Sequence, residues 1–139
     1  MTVSEAVIKW LKKFNPADYW KMKKIDTDIQ PAEVESYAVV KELVRNVKKY
    51  LSGKQVITDH YTLQARLASQ SNTDRIDNNR FGEALEKWVE EQDKAKAFPE
   101  IENAIVQSVS VTTPFCIGST TTNNSIYQMT VAIKYEKED

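Results

Sequence analysis

The sequence predicts an α+β fold in which a mostly antiparallel β-sheet carries two amphipathic helices packed on one face. Two observations lead to this prediction. Apolar residues recur at spacings of three and four in two segments, which is the period of an amphipathic helix. In at least four other segments they alternate with polar residues, which is the period of a half-exposed strand. Helices that cover one face of an antiparallel sheet bury both patterns together.

Length and composition set the bounds of this fold. The chain has 139 residues, 41% of them apolar, and a formal net charge of −1. These values predict one domain, residues 1–139, with a substantial core and no overall attraction to nucleic acid or to an anionic membrane. Cys116 is the only cysteine, so no internal disulfide can form, which fits a reducing cytoplasm. We expect no signal peptide, no membrane span and no membrane partner.

The first quarter of the chain predicts a helix and a short strand. Residues 3–14 place their apolar side chains on one stripe, and Asn15-Pro16 ends the helix because a residue before proline avoids the α region. Residues 25–29 alternate like a half-exposed strand that Pro31 ends. Three residues between these elements are expected to pack against the core: Tyr19, Trp20 and Met22.

Residues 34–51 allow two interpretations. Their apolar residues recur at spacings of three and four, which favours a helix with Gly53 just beyond its end. Their content of valine and tyrosine instead favours a strand over 36–41, a bend at 42–43 and a second strand over 44–51. The pattern by itself does not decide between the two.

The rest of the chain gives clearer signals. A period of two runs over residues 57–67 and predicts a strand with one solvated face; Asp59 falls on its apolar side and is therefore expected beyond the core. Residues 76–94 carry the apolar stripe of a second helix. Two further alternating segments predict strands over 104–115 and 125–135, with a flexible polar loop at 116–125 between them.

No motif of a catalytic or metal site is present. The sequence has no glycine-rich phosphate loop and no Cys/His cluster with metal-ligand spacing. His60, the only histidine, is expected on the solvated face of a strand, and Cys116 is expected to be a small buried hydrophobe. Asp26 and Asp28 lack a third ligand for a cation. The three tryptophans lack the interleaved basic residues of a base-stacking platform and are expected in the core: Trp10, Trp20 and Trp88. We therefore predict no enzyme activity, no cofactor and no metal.

The densest basic cluster of the sequence surrounds Ser52-Gly53. Its members are Lys41, Arg45, Lys48, Lys49 and Lys54. Such a cluster can protect a strand edge and aid solubility. The functional alternative is that it docks onto an acidic partner or faces a channel that contains DNA.

Several segments resemble one family. NVKKYLSGKQVITDHYTLQARLAS is similar to the central hairpin of tail terminator proteins from tailed bacteriophages and prophages of Gram-positive bacteria. FGEALEKWVEEQ resembles a helix of that family, IDTDIQPAEVESYAVV its strand, acidic turn and following strand, and TVSEAVIKWL its first helix. Ser52 stands where the family more often has Asp or Asn, and Val89 where it more often has Leu. The likeness covers nearly the whole chain.

The resemblance implies a fold and a function. It implies that residues 36–51 are strands and that Ser52-Gly53 is a hairpin tip, which would place Lys49 opposite Val56 and Val47 opposite Thr58. It further implies a hexameric ring that sits on the tail tube, ends tube growth and presents a surface to the head. The implied partners are other copies of the chain, the tail tube protein, a sheath protein and a head-completion or connector protein. DNA would be passing cargo only, and the location would be the head-proximal end of the virion tail, assembled in the host cytoplasm.

A closed ring needs two different surfaces on each subunit. The hairpin at 45–58, with little apolar surface of its own, is the candidate for one of them, because it would need a neighbour to hold it. The candidate interface residues are Arg45, Lys48, Lys49, Tyr50, Ser52, Gly53, Lys54 and Gln55. The loop 116–125 and the connection 69–77 are candidates for contacts with the tube or the head. The alternatives are another head–tail connector or stopper, or a small α+β ligand-binding domain or enzyme.

Overall fold

The protein is described by a computed structural model that covers residues 1–16 and 22–138. Its elements are α1 (Val3–Leu11), β1 (Asp26–Thr27), β2 (Ser36–Lys49), β3 (Lys54–Ala68), α2 (Asn72–Ala95), β4 (Ala104–Thr120) and β5 (Asn124–Glu138). The strands form one sheet in the order β1-β2-β3-β5-β4. Only the short pair of β1 with β2 is parallel, and the other three pairs are antiparallel. The predicted α+β class is confirmed.

Both helices begin at a capping box. The Thr2 hydroxyl accepts a hydrogen bond from the Glu5 N–H at the start of α1, and the Ser71 hydroxyl accepts one from the Asp74 N–H at the start of α2. In each case the acidic side chain accepts from the backbone N–H of the cap residue, which satisfies two otherwise unpaired donors. Because Ser71 caps the chain so early, α2 starts four residues before the predicted position. Helix α1 ends three residues before the predicted one.

The core lies between the two helices and one face of the sheet. It contains the apolar odd-numbered residues of β3 and β5, together with the stripes of α1 and α2. The rings of Trp10 and Trp88 meet with centroids 4.8 Å apart, and the Trp10 Nε1 donates to the Ala97 carbonyl over 2.8 Å. Trp10, Trp88 and Met22 therefore lie in or against the core as predicted. The predicted core residues Tyr19 and Trp20 lie outside the described residues.

Residues 36–49 form one strand, so the hairpin interpretation of this segment is confirmed and the helix is wrong. The register differs from the implied one by a residue: Lys49 lies opposite Gln55, and Val47 lies opposite Ile57. The cause is a loop of three residues instead of two. The Tyr50 N–H donates to the Lys54 carbonyl, and the loop between them ends on Gly53, whose φ is 90°. A three-residue hairpin loop needs a left-handed residue at that position, which glycine adopts without strain.

Three other expectations are wrong. The first strand has two residues instead of five, because Asp28 takes a φ of 59° and turns the chain, which leaves Ile29 76% exposed. The loop at 116–125 is mostly strand, and only residues 121–123 connect β4 to β5. Cys116 is exposed, because it lies on β4, an edge strand whose pairing register shifts four times.

Neither helix within residues 1–16 and 22–138 combines the length and the apolar character that crossing a bilayer requires.

Candidate subunit interface

The hairpin that contains the predicted interface residues projects beyond the core; we call residues 42–56 the arm. Strand β2 is buried at residues 36–39, whereas every residue from 41 to 49 is exposed. Five large apolar side chains are exposed in this part of the chain: Leu43, Val44, Val47, Tyr50 and Leu51. The expectation that the arm has little apolar surface is therefore wrong. Apolar side chains concentrated on an exposed surface indicate a protein–protein contact.

The outer edge of the arm has no strand partner among the described residues. Strand β1 pairs with β2 only at Ala38 and Val39, and the Asp28 carboxylate accepts one more hydrogen bond from the Lys41 N–H over 3.1 Å. Beyond Lys41, β2 pairs with β3 alone. A strand edge of this kind presents backbone donors and acceptors that another chain can use.

The inner edge of the arm is supported by its own chain. Strand β5 pairs with β3 over the full length of both, from Lys54 opposite Glu138 to Ala68 opposite Asn124. The Lys54 ammonium also lies 3.1 Å from the Glu136 carboxylate. The arm is thus the end of a continuous sheet that its own chain pairs along the inner edge.

A buried carboxylate fixes the base of the arm. Asp59 is only 1% exposed, so the expectation that it lies beyond the core is wrong. Arg45 binds it with two hydrogen bonds, Nε to Oδ1 over 2.6 Å and Nη2 to Oδ2 over 2.9 Å, and the Tyr135 hydroxyl donates to Oδ2 over 2.8 Å. Burial and the bond to Asp59 raise the pKa of Tyr135, and the same carboxylate raises the pKa of Arg45. The pair explains how an acid is accommodated among apolar residues.

The sequence contained a signal for this pair. Asp59 interrupts the apolar side of a strand, and Arg45 lies on the partner strand. A two-residue loop would place Arg45 opposite His60, whereas the three-residue loop places it opposite Asp59. The correct turn type would therefore have predicted the ion pair.

A bulge separates the arm from the buried half of β2. Lys41 lies opposite Tyr61 and Arg45 opposite Asp59, so residues 42–44 together face the single residue His60. This is the bend predicted at residues 42–43. The Thr62 hydroxyl donates to the Glu42 carboxylate, which fixes the bulge on its inner side. Bulges of this kind bend a strand and increase its twist.

The tip of the arm presents cations around one aromatic ring. The ammonium groups of Lys48 and Lys54 lie 5.5 and 5.6 Å from the centroid of the Tyr50 ring, within the range of a cation–π contact. Of the predicted interface residues, five are exposed: Arg45, Lys48, Lys49, Tyr50 and Ser52. Gly53, Lys54 and Gln55 are half-buried. Arg45 is bound to Asp59, so it holds the base of the arm.

The structure also shows where the candidate metal-ligating and catalytic residues lie. Among them, no group of three or more His, Cys, Asp and Glu side chains is placed to hold a metal ion. His60 is half-buried on the sheet face away from the helices, and its Nδ1 finds no partner within the described part of the chain. It lies opposite Ala132, whereas Cys116 lies opposite Gln128. Four residues along a strand span about 14 Å, so His60 and Cys116 form no catalytic pair.

Comparison with known proteins does not assign this chain to a family. A scan of the chain against protein-family models matches none, and a search of curated proteins finds no match. The resemblance to tail terminators therefore remains a prediction from the sequence.

Proposed function

We propose that this chain is a tail terminator of a bacteriophage or phage-tail-like particle. In this proposal its copies form a ring, most simply a hexamer, that caps the tail tube, ends tube growth and provides the surface to which the head attaches. The tube protein, a sheath protein where one exists and a head-completion or connector protein are the partners. DNA passes through the ring as cargo, and the protein acts by binding, without catalysis.

The observation that carries the proposal is the arm. It combines exposed apolar side chains, a basic tip and an unpaired strand edge on an extension of the sheet beyond the core. Exposed apolar patches mark sites of protein–protein contact, and a subunit of a ring needs one surface that its neighbour covers. Together with the resemblance of the hairpin and of α2 to tail terminators, this favours an assembly role.

Imaging of particles tests the proposal. Deletion of the gene is expected to give tails of uncontrolled length without heads, because nothing stops the tube, and the wild-type gene supplied separately should restore uniform tails. A connector or stopper, the runner-up, would instead give tails of normal length that lack heads. Normal, head-bearing particles from the deletion strain would overturn both.

The arm itself is tested by shortening. Residues 48–56 are replaced by a tight turn, and the variant is expected to fold as a monomer but to leave the deletion strain uncapped, because the tip is missing. Lys87→Gln serves as the control and should restore normal tails, since Lys87 is exposed on α2 and lies outside the arm and outside the candidate contact segments 69–77 and 116–125. A shortened variant that still caps tails would show that the arm is not the interface.

A further inference from the structure

A second exposed patch carries a charge opposite to that of the arm. The segment 26–35, which contains β1 and leads into β2, carries four acidic residues and no basic one: Asp26, Asp28, Glu33 and Glu35. It also exposes two large apolar side chains, Ile29 at 76% and Val34 at 45%. The arm with the flanking Lys41 carries five basic residues and one acidic one. The two surfaces are thus complementary in charge, and both are apolar in part.

The acidic segment encloses a cleft. Its volume is about 300 Å³, and its charged lining consists of three acidic residues, Asp26, Glu33 and Glu35, and two basic ones, Lys23 and Lys24. Lys24 lies 3.9 Å from Asp26 and is almost fully exposed, so it screens that carboxylate weakly. Glu33 and Glu35 form no ion pair with any described residue, and the same is true of Lys48 and Lys49 on the arm. Both surfaces therefore have charges available to a partner.

The arm does not reach the cleft of its own chain. Glu35 directly precedes β2 and Tyr50 directly follows it, so the 14 residues of that strand separate them. At about 3.3 Å per residue, the strand holds the two surfaces roughly 45 Å apart. The arm therefore cannot bind the carboxylates of the cleft in its own chain, and any cleft that it binds belongs to another molecule.

We infer that the arm of one copy of this chain docks onto the acidic cleft of a second copy. Tyr50 and Leu51 contact the apolar side chains Ile29 and Val34 of the second copy, and Lys48 and Lys49 pair with its carboxylates. Each copy then uses two different surfaces, and such head-to-tail contacts form a ring when the rotation from one copy to the next closes. The inference rests on the proposed function for the closure of the ring, while the contact itself is independent of it.

Direct pairing of sheet edges is a poorer solution. The other edge of the sheet is β4, whose register shifts at four places and which contains Pro114. Proline lacks the N–H that a ladder needs, and bulges displace the neighbouring groups. An incoming β2 edge would therefore find few regular partners on β4.

Charge reversal tests the contact. Two double variants are compared with wild type: Lys48→Glu with Lys49→Glu on the arm, and Glu33→Lys with Glu35→Lys at the cleft. Each variant alone is expected to weaken association at least roughly 100-fold, because like charges then meet. An equimolar mixture is expected to associate again, since the reversed arm fits the reversed cleft and the two unaltered surfaces fit each other. Native mass spectrometry of isotopically distinguished variants measures both effects, and alternation of the two variants is expected in every ring.

A matched control and a second readout complete the design. Lys87→Glu with Lys94→Glu reverses two exposed lysines of α2 and should leave association unchanged.

Both reversed variants, expressed singly and together, are also tested for capping of tails in the deletion strain. If wild type caps tails but the mixture neither associates nor caps, the inference fails and the proposed function stands. If the mixture associates but tails never depend on the gene, the proposed function fails and the contact stands. A wild-type chain that is monomeric both alone and in particles would overturn the inference.

Discussion

Residues 36–39 and residues 41–49 belong to the same strand, but the first four are buried and the last nine are exposed. The first part lies under the helices, where Tyr37 and Val39 join the core. The second part is held by the β3 ladder, by the Arg45–Asp59 pair and by the hydrogen bonds of Lys41 to Asp28 and of Thr62 to Glu42. Burial therefore stabilises one half, and hydrogen bonds and one ion pair position the other. The comparison teaches that the apolar residues of the arm do not serve the stability of the monomer.

The largest effect on stability is expected in the core that covers residues 36–39. Leu85 is fully buried in α2, and Leu85→Asp removes about 1.5–3 kcal/mol of burial and adds the cost of an unpaired buried charge. Since a domain of this kind is stable by about 5–15 kcal/mol, the variant should have no cooperative unfolding transition. Circular dichroism on heating measures this. Ile76→Asp, on an exposed position of the same helix, is the control and should melt like wild type.

The Arg45–Asp59 pair, which we call the joint between the two halves of β2, should respond unequally to the loss of either partner. Arg45→Met leaves the Asp59 carboxylate buried beside Tyr135 without a cation, and we expect a loss of about 2–3 kcal/mol in the free energy of unfolding. Asp59→Asn keeps an acceptor for the Tyr135 hydroxyl and lets Arg45 turn to solvent, so about 1–2 kcal/mol should be lost. Urea denaturation compares the two. An equal or larger loss in Asp59→Asn would contradict this description of the joint.

The pH dependence of the same joint has a definite sign. The pKa of Tyr135 is raised in the folded state, mainly by burial and then by its bond to Asp59. Its contribution is therefore fully present below the ordinary tyrosine pKa of about 10 and is lost as pH rises above it, because only the unfolded state then ionises readily. Tyr135→Phe should cost about 1 kcal/mol at pH 8. That difference should shrink between pH 10 and 11 in urea denaturation, and a constant difference would contradict the raised pKa.

The smallest effect on folding is expected at the tip of the arm. Leu51 is fully exposed, so Leu51→Ser should change the free energy of unfolding of the monomer by less than about 0.5 kcal/mol. Association of copies should nevertheless weaken, because an apolar contact is lost. Urea denaturation of the monomer and native mass spectrometry of the assembly measure the two quantities separately. A clear loss of monomer stability would mean that the two halves of the sheet do not differ as described.

The sequence predicted the fold where packing determines the pattern. The alternation of apolar and polar residues in β3 and β5 and the apolar stripe of α2 arise because one face of each element is buried in the core. These elements form as predicted. The spacing of Val44, Val47 and Leu51 is typical of a helix. All three side chains are exposed, however, so this spacing does not reflect packing against a core. Asp59 was misplaced because its partner lies on another strand, and the register that joins them depends on one residue of loop length. The candidate interface was predicted from its cluster of basic residues. That its apolar side chains are also exposed was visible only in the structure.

The bulge in β2 constrains how the length of this chain can vary. Between Lys41 and Arg45 the strand advances four residues while β3 advances two, so the bulge adds two residues, an even number. Side chains alternate with a period of two, and the faces of the arm therefore stay in phase with those of the core half. Loss of one residue here would exchange the two faces and aim Arg45 away from Asp59, whereas loss of two would keep both in place. Insertions and deletions at residues 42–44 should accordingly be tolerated in pairs and rejected singly.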